Sequence, residues 1–358
     1  MTNACGSGVD KVTLGGCFRS QRALRFLGLA LLCAGGAELG CSSDGNSGDA
    51  NGGSGGASAG KGGSSSVGGT SGDAVVGTFM LALNPSVEAT APYTSIFGTV
   101  YGSPYPTDVI ETVVASNAAC SVYKFSRQSC TNPACTAAQT CVGPNVCEDK
   151  PSLVSIGDVS LTGVGPSALK LTAINNNYQY ALDLPYPGFD DGGAVTLSAT
   201  GSYFPAFSLT TKGTAPVELT ATSYRISSGS ALSVEWAPGS AGTAAKVAIM
   251  LNISKHGGSA GYMKCSTTDS GSFTVPADLL KALVDLGVAG FPQLLFTRST
   301  RAEASVSTGK VAFEIDALAS PKLDIDGYCS CFSSSDCGSC SDTTKTTCDT
   351  VKKLCNAP

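Results

Sequence analysis

The chain has 358 residues, 42% of them hydrophobic and only 14% charged, with 7% aromatics, 44 Gly, 16 Cys and a single His, which is enough length to bury at least one sizeable core. Its 22 basic and 27 acidic residues leave a formal charge of −5; that argues against a nucleic-acid binder, which needs a basic stripe to neutralise phosphates, so no nucleic-acid partner is expected. A lone imidazole excludes metal centres and catalytic sets built on several histidines.

The first forty residues read as an export signal. Arg19, Arg22 and Arg25 precede an apolar run over 26–37, followed by Glu38, Leu39, Gly40 and Cys41. A basic stretch, a short apolar segment and small residues at its end are the pattern of a secretory signal. The run is shorter than the roughly 18 apolar residues that cross a bilayer. Leu39-Gly40-Cys41-Ser42-Ser43 resembles the lipobox of bacterial lipoproteins. That resemblance implies a lipid on Cys41 as the mature N-terminus, and several acyl chains give stable anchoring. The expected location is the outer membrane or cell surface of a bacterium. An ordinary signal-peptidase cut after Gly36 or Ala37, giving a secreted soluble protein, is the alternative.

Cysteine parity bears on the choice. Cys5, Cys17 and Cys33 precede the cut and leave 13 Cys in the mature chain. If Cys41 carries lipid, an even 12 remain for disulfides; if it does not, one thiol is left over.

Positions 41–73 form a tether. From 42 to 73 there are twelve Gly and nine Ser, and Val67 is the only sizeable apolar residue. Such a segment cannot bury enough surface to offset its ordering entropy, and as a coil it spans roughly 30 Å.

From residue 74 onward the pattern is that of short strands. Apolar runs at 76–83 and 96–101 are divided by Pro85, Pro92, Pro104 and Pro106. Period-two alternation recurs at Leu169/Leu171, Tyr178/Tyr180/Leu182, Val195/Leu197 and Val217/Leu219. It returns at Leu232/Val234/Trp236, Val247/Ile249/Leu251/Ile253 and Val311/Phe313/Ile315. Gly- and Pro-containing turn clusters separate these runs, so an all-β sandwich with one short helix is expected. The helix falls at 278–286, where Leu279, Leu280, Leu283 and Leu286 share a face, Asp278 suits the start and Gly287 the stop. The resulting organisation is a signal (1–40), a tether (41–73), a short β region with a cysteine-rich module (74–150), a sandwich region (151–326) and a cysteine-rich tail (327–358).

Leu232-Val234-Trp236, the alternation over 247–253, and Cys265 ahead of Asp269-Ser270-Gly271 resemble an immunoglobulin- or fibronectin-type sandwich. That resemblance implies a Trp packed in the core and concerns architecture only.

Cys120, Cys130, Cys135, Cys141 and Cys147 fall within 28 residues, and Cys329, Cys331, Cys337, Cys340, Cys348 and Cys355 fill the tail. Neither stretch has the apolar residues for a core of its own, so cross-links are expected to hold both. Six tail cysteines allow three internal bridges in any of 15 pairings. Five in the first module leave one over, and Cys265 is the expected partner. Zinc on the Cys337-Gly-Ser-Cys340 spacing is the alternative, but a second such pair and a nearby His are missing.

His256 with Gly257-Gly258-Ser259-Ala260-Gly261 matches the nucleophile-elbow spacing, yet the flanks are β-patterned and a loop is expected. Asp324/Asp326 and Asp190/Asp191 are expected in turns, with calcium as the alternative; no other cofactor is expected. Tyr178, Tyr180, Tyr186, Phe189, Tyr203, Phe204 and Phe207 either fill a core or form a ligand platform. The expectation is a non-enzymatic surface lipoprotein that binds an envelope protein or an extracellular glycan. The alternatives are a secreted polymer hydrolase with a carboxylate pair and a structural envelope component.

Overall fold

The structure, a computed structural model, describes residues 73–358 apart from 87–89, 166, 181–183, 228 and 259–260. The expected signal, Cys41 and the tether up to residue 72 lie outside the described residues.

Alternating burial makes the strands. β1 (Val75–Asn84) sends Phe79, Leu81 and Leu83 to one side, and β2 (Tyr93–Val100) does the same with Ile96 and Val100. Among the described residues thirteen strands share one sheet. Its spatial order is β11 (Phe207–Lys212), β10 (Ala194–Ala199), β7 (Val159–Thr162), β8 (Leu169–Ile174), β9 (Asn177–Gln179), β2, β1, β18 (Gly309–Ala319), β17 (Gln293–Val306), β14 (Lys246–Asn252), β15 (Gly261–Thr268), β4 (Cys120–Arg127) and β3 (Val109–Ser116). Neighbours are antiparallel except β1 and β18, whose parallel pairing sets Phe79 beside Phe313. Strands from opposite ends of the described chain thus lie side by side, a strongly non-local topology.

The sheet serves two cores. At one end it curls until β11 lies over β17 and β18, and the Thr300 hydroxyl donates to the Lys212 carbonyl across the gap. Core one fills this curl with Phe79, Leu81, Leu161, Leu197, Phe204, Phe313 and their neighbours. It draws strands from both the 74–150 and the 151–326 stretches. At the other end the inner faces of β4, β14, β15 and β17 meet a second layer. That layer contains the parallel pair β12 (Ser223–Ile226) and β19 (Lys322–Ile325), the antiparallel pair β13 (Leu232–Glu235) and β16 (Ser272–Val275), and a helix. Core two lies between the layers and includes Trp236, Ile249, Met263 and Phe296. The fold is therefore mostly β with one short helix.

That helix, α1 (Ala277–Val284), begins one residue before the expected 278 and ends at Val284, with Asp285 as its C-cap. Pro276 precedes it in an extended conformation, Asp278 sits in the first turn, and Leu279, Leu280 and Leu283 are buried in core two. Gly287 follows at φ +102, a conformation that favours glycine. The expected strand at 217–219 is reduced to a single bridge between Leu219 and Trp236.

β17 links the cores, and its inward residues change character along its length. Leu294 and Phe296 belong to core two, whereas Ala302, Ala304 and Val306 pack against core one. Between them Arg298 is wholly buried. Its Nη1 donates to the carbonyls of Ala215 (3.0 Å) and Pro216 (2.9 Å), and its Nη2 to Ala237 O and to Asp269 Oδ1 (3.1 Å). Nε stands 2.9 Å from Asp269 Oδ2 as an ion-pair contact without hydrogen-bond alignment. Asp269 also accepts from Trp236 Nε1 (2.7 Å) and the Gly239 N–H (2.8 Å). Two charges removed from water survive only when paired and hydrogen-bonded in this way.

Among the described residues there are six disulfides. Cys120–Cys265 joins directly opposed residues of β4 and β15 across 145 residues of sequence. The insert after β4 carries Cys130–Cys141 and Cys135–Cys147 around the hairpin of β5 (Gln139–Gly143) and β6 (Val146–Asp149). The tail holds Cys329–Cys340, Cys331–Cys348 and Cys337–Cys355, with a small hairpin of β20 (Thr347–Asp349) and β21 (Leu354–Asn356). Its buried cluster is made of cysteine side chains.

Candidate binding surface

β3 closes one end of the thirteen-stranded sheet, and among the described residues it pairs only with β4. Both of its faces meet solvent: Ile110 is 40%, Val113 52% and Val114 45% exposed. Its direction along β4 is fixed early, where Asp108 forms a two-oxygen ion pair with Arg127 at 3.0 Å. The Gln128 N–H donates to Asp108 O at 2.7 Å, which sets the parity of the ladder. Asp108, Ile110 and Thr112 turn their backbone groups to β4, while Val109, Glu111 and Val113 turn theirs to the free edge. In keeping with that parity, the Val109 N–H is met by the Thr107 hydroxyl at 3.1 Å. A bulge between Val113 and Ala115 interrupts the register beyond this point.

Beside the edge, the outer face carries a row of aromatic side chains. Val113, Tyr123 and Tyr262 stand in register on β3, β4 and β15. The Tyr123 and Tyr262 rings stack at 5.2 Å, Phe125 lies 6.2 Å from Tyr262, and Lys264 Nζ sits 4.9 Å over the Tyr262 ring. The Tyr262 hydroxyl donates to Glu111 Oε1. Burial, and then the Glu111 carboxylate, push that phenol far above its ordinary range, so it remains a donor. Tyr123 against the Tyr262 ring and Lys264 over it leave that ring already engaged within the row.

The expected site residues fall elsewhere. Tyr178, Phe189 and Phe204 are buried in core one, Tyr180, Tyr186 and Phe207 pack against it, and Tyr203 is 57% exposed. Tyr178 Oη accepts from the Ile156 N–H (2.8 Å) and donates to Gly157 O (3.2 Å), so most of this set is core. Asp191 Oδ2 accepts from the Ser240 N–H at 2.7 Å. Asp190 borders a shallow hollow with Gly163, Pro187 and Phe189. Only Asp326 lies in a turn; Asp324 belongs to strand β19, where its backbone pairs in register with Arg225 of β12, and its carboxylate meets Lys322 at 3.1 Å while Asp326 pairs with Arg225. The Ser227 side chain and Arg225 hold Asp326 below the usual carboxylate range. His256 is exposed in a turn at φ +61, and Ser259 lies outside the described residues. Cys337 and Cys340, whose spacing allowed zinc, have their sulfurs in two separate disulfides.

Two features had no sequence signal. Asp316, on the outer side of β18, is 3% exposed, and its Oδ1 has no hydrogen-bond partner. Desolvation, then the nearby Glu314 charge, raise its pKa to about 7 against the opposing pull of Arg301. At the tail, Phe332 is 68% exposed and rests on Phe291 with centroids 4.4 Å apart.

No protein-family model matches the chain, and no curated protein matches it. Among solved structures it is similar to the FN1-FN3 domains of chicken CNTN1 at 10% identity and a TM-score of 0.16, with 60% of this chain covered. The chain spans 65% of the length of that structure. A superposition this loose assigns no fold beyond the β architecture described above. The six disulfides are the mark of an extracellular protein. Among the described residues no helix is long and apolar enough to cross a membrane.

Proposed function

We propose that this chain is a non-enzymatic surface lipoprotein of a bacterium, held in the membrane through lipid on Cys41, whose β ectodomain binds a protein of the cell envelope. The observation that carries the binding reading is β3, an open strand edge with valine and isoleucine exposed on both faces beside an aromatic row. Exposed apolar surface on an edge strand is a hazard that folds ordinarily cover, and a partner covers it here. The engagement of the Tyr262 ring by Tyr123 and Lys264 favours a protein over a sugar at this end. Phe332, with most of its ring in solvent, supports an extracellular glycan as the second reading.

The hydrolase alternative is weakened by the carboxylate best suited to act as an acid. Asp316 is 3% exposed, and its neighbour Glu314 is engaged by Arg301, so a polymer does not reach the pair. Intact mass of the mature protein tests the anchor, expected as a chain starting at acylated Cys41 with no free thiol. Capture of envelope proteins, set against a glycan array, tests the ligand. Binding to glycans alone, or release of reducing sugar from a polymer, overturns the reading.

A further inference from the structure

We propose that the free edge of β3 takes up an extended peptide segment of the partner protein as one more antiparallel strand, with a basic residue of that peptide opposite Glu111. This deepens the binding reading above and rests on it.

Five of the eight residues of β3 are β-branched, and the strand holds neither Lys nor Pro, two common devices that blunt an edge. The ladder parity leaves the Val109 carbonyl, both backbone groups of Glu111 and the Val113 N–H directed outward. The bulge after Val113 ends regular pairing, so the usable slot runs over 109–113 and Glu111 is its centre. A residue paired with Glu111 therefore exchanges both backbone hydrogen bonds with it and places its side chain beside the carboxylate.

The occupant follows from charge. A second copy of the chain, paired antiparallel over the same slot, would set Glu111 against Glu111, and like charges directly opposed are destabilising. A Lys or Arg in that position is favoured. Glu111 is also fixed in place, since the Tyr262 hydroxyl donates to one of its oxygens. The carboxylate is thus held over the outer face by a hydrogen bond from β15 instead of sweeping through solvent.

The test uses the whole purified chain and two fluorescein-labelled nonapeptides of alternating Thr and Val, one with a central Lys and one with a central Glu. Fluorescence anisotropy is expected to show the Lys peptide binding about fivefold tighter, the scale of one cross-strand charge pair. Glu111→Lys should reverse the order. Val113→Pro should abolish binding of both peptides, because it deletes an N–H that the edge offers and β4 does not use. Circular dichroism checks that this variant folds, and if it does not, the reversal at Glu111 decides alone. Equal affinities, no reversal, no binding of either peptide at millimolar concentration, or sedimentation showing a dimer that Val113→Pro dissolves would each overturn the proposal. Envelope-protein capture unaffected by both substitutions would sink the edge and leave the wider binding reading standing; failure of the unaltered chain to capture any would sink that reading as well.

Discussion

Asp269 and Arg298 meet where the two cores adjoin, with side chains 1% and 0% exposed and Oδ2 2.9 Å from Nε. Trp236 donates to the same carboxylate, so one ion pair ties the turn after β15 to the strand that serves both cores. Removing one partner strands a buried charge. Asp269→Ala and Arg298→Ala are each expected to destabilise by about 3–5 kcal/mol. Replacing both by Leu and Met should cost much less than the sum of the two single changes. Urea unfolding of the four proteins measures this; additive losses would show that the pair is not a unit.

The Cys120–Cys265 bridge closes the longest loop of the six, 145 residues. The chain-entropy model assigns such a loop about 5 kcal/mol, while native bridges typically give about 2–5 kcal/mol on removal. The Cys120→Ala/Cys265→Ala protein should therefore melt well below the parent while keeping the other five bridges. Cys265→Ala alone should release one thiol, seen as a single added label by mass spectrometry. No added label would show that Cys120 pairs elsewhere.

Asp316 makes stability depend on pH. Its folded pKa of about 7 lies above the ordinary aspartate value of 3.8, so the folded state holds a proton that the unfolded state has released. The contribution of Asp316 is fully present below about pH 4, is lost as pH rises from about 4 to 7, and levels off above that, with a total on the order of a few kcal/mol. Asp316→Asn should flatten this part of the profile and be more stable than the parent at about pH 8. Thermal melts across this range test it, and parallel profiles would refute it.

The tail relies on its sulfurs, since its buried cluster consists of cysteines. Mild reduction should expose residues 327–358 to protease while the body stays intact, because core two is built from the sheet, the second layer and α1 without needing the tail. Limited proteolysis read by mass shows which part is cut first. Simultaneous loss of body and tail would mean that the two unfold together.

Several elements were legible because their residues alternate between apolar and polar or repeat at helical spacing. β14 is the clearest strand: Val247, Ile249 and Leu251 are buried on one face, Ile253 continues the pattern just past its end, and Lys246 and Ala248 face out. α1 declared itself through leucines at helical spacing. β17 was not legible. After Phe296 its inward positions are Arg298, Thr300, Ala302 and Ala304, which are charged, polar or small, so the alternation fades although the strand runs for fourteen residues. β3 was missed for the opposite reason, since an edge strand exposed on both faces has no buried side to impose a period.

The sequence by itself determined that this is a β-rich, cysteine-rich chain with five cysteines in the first module and Cys265 as the expected partner of the odd one, because composition, short-range alternation and residue counts are properties of the chain alone. Only the tertiary structure decided that Cys120 is that odd sulfur, that β1 lies beside β18, and that Glu111 sits at the centre of an open edge under the Tyr262 hydroxyl. These relationships join residues 145 or more positions apart, and their energy comes from pairing and burial that exist only once the sheet has closed.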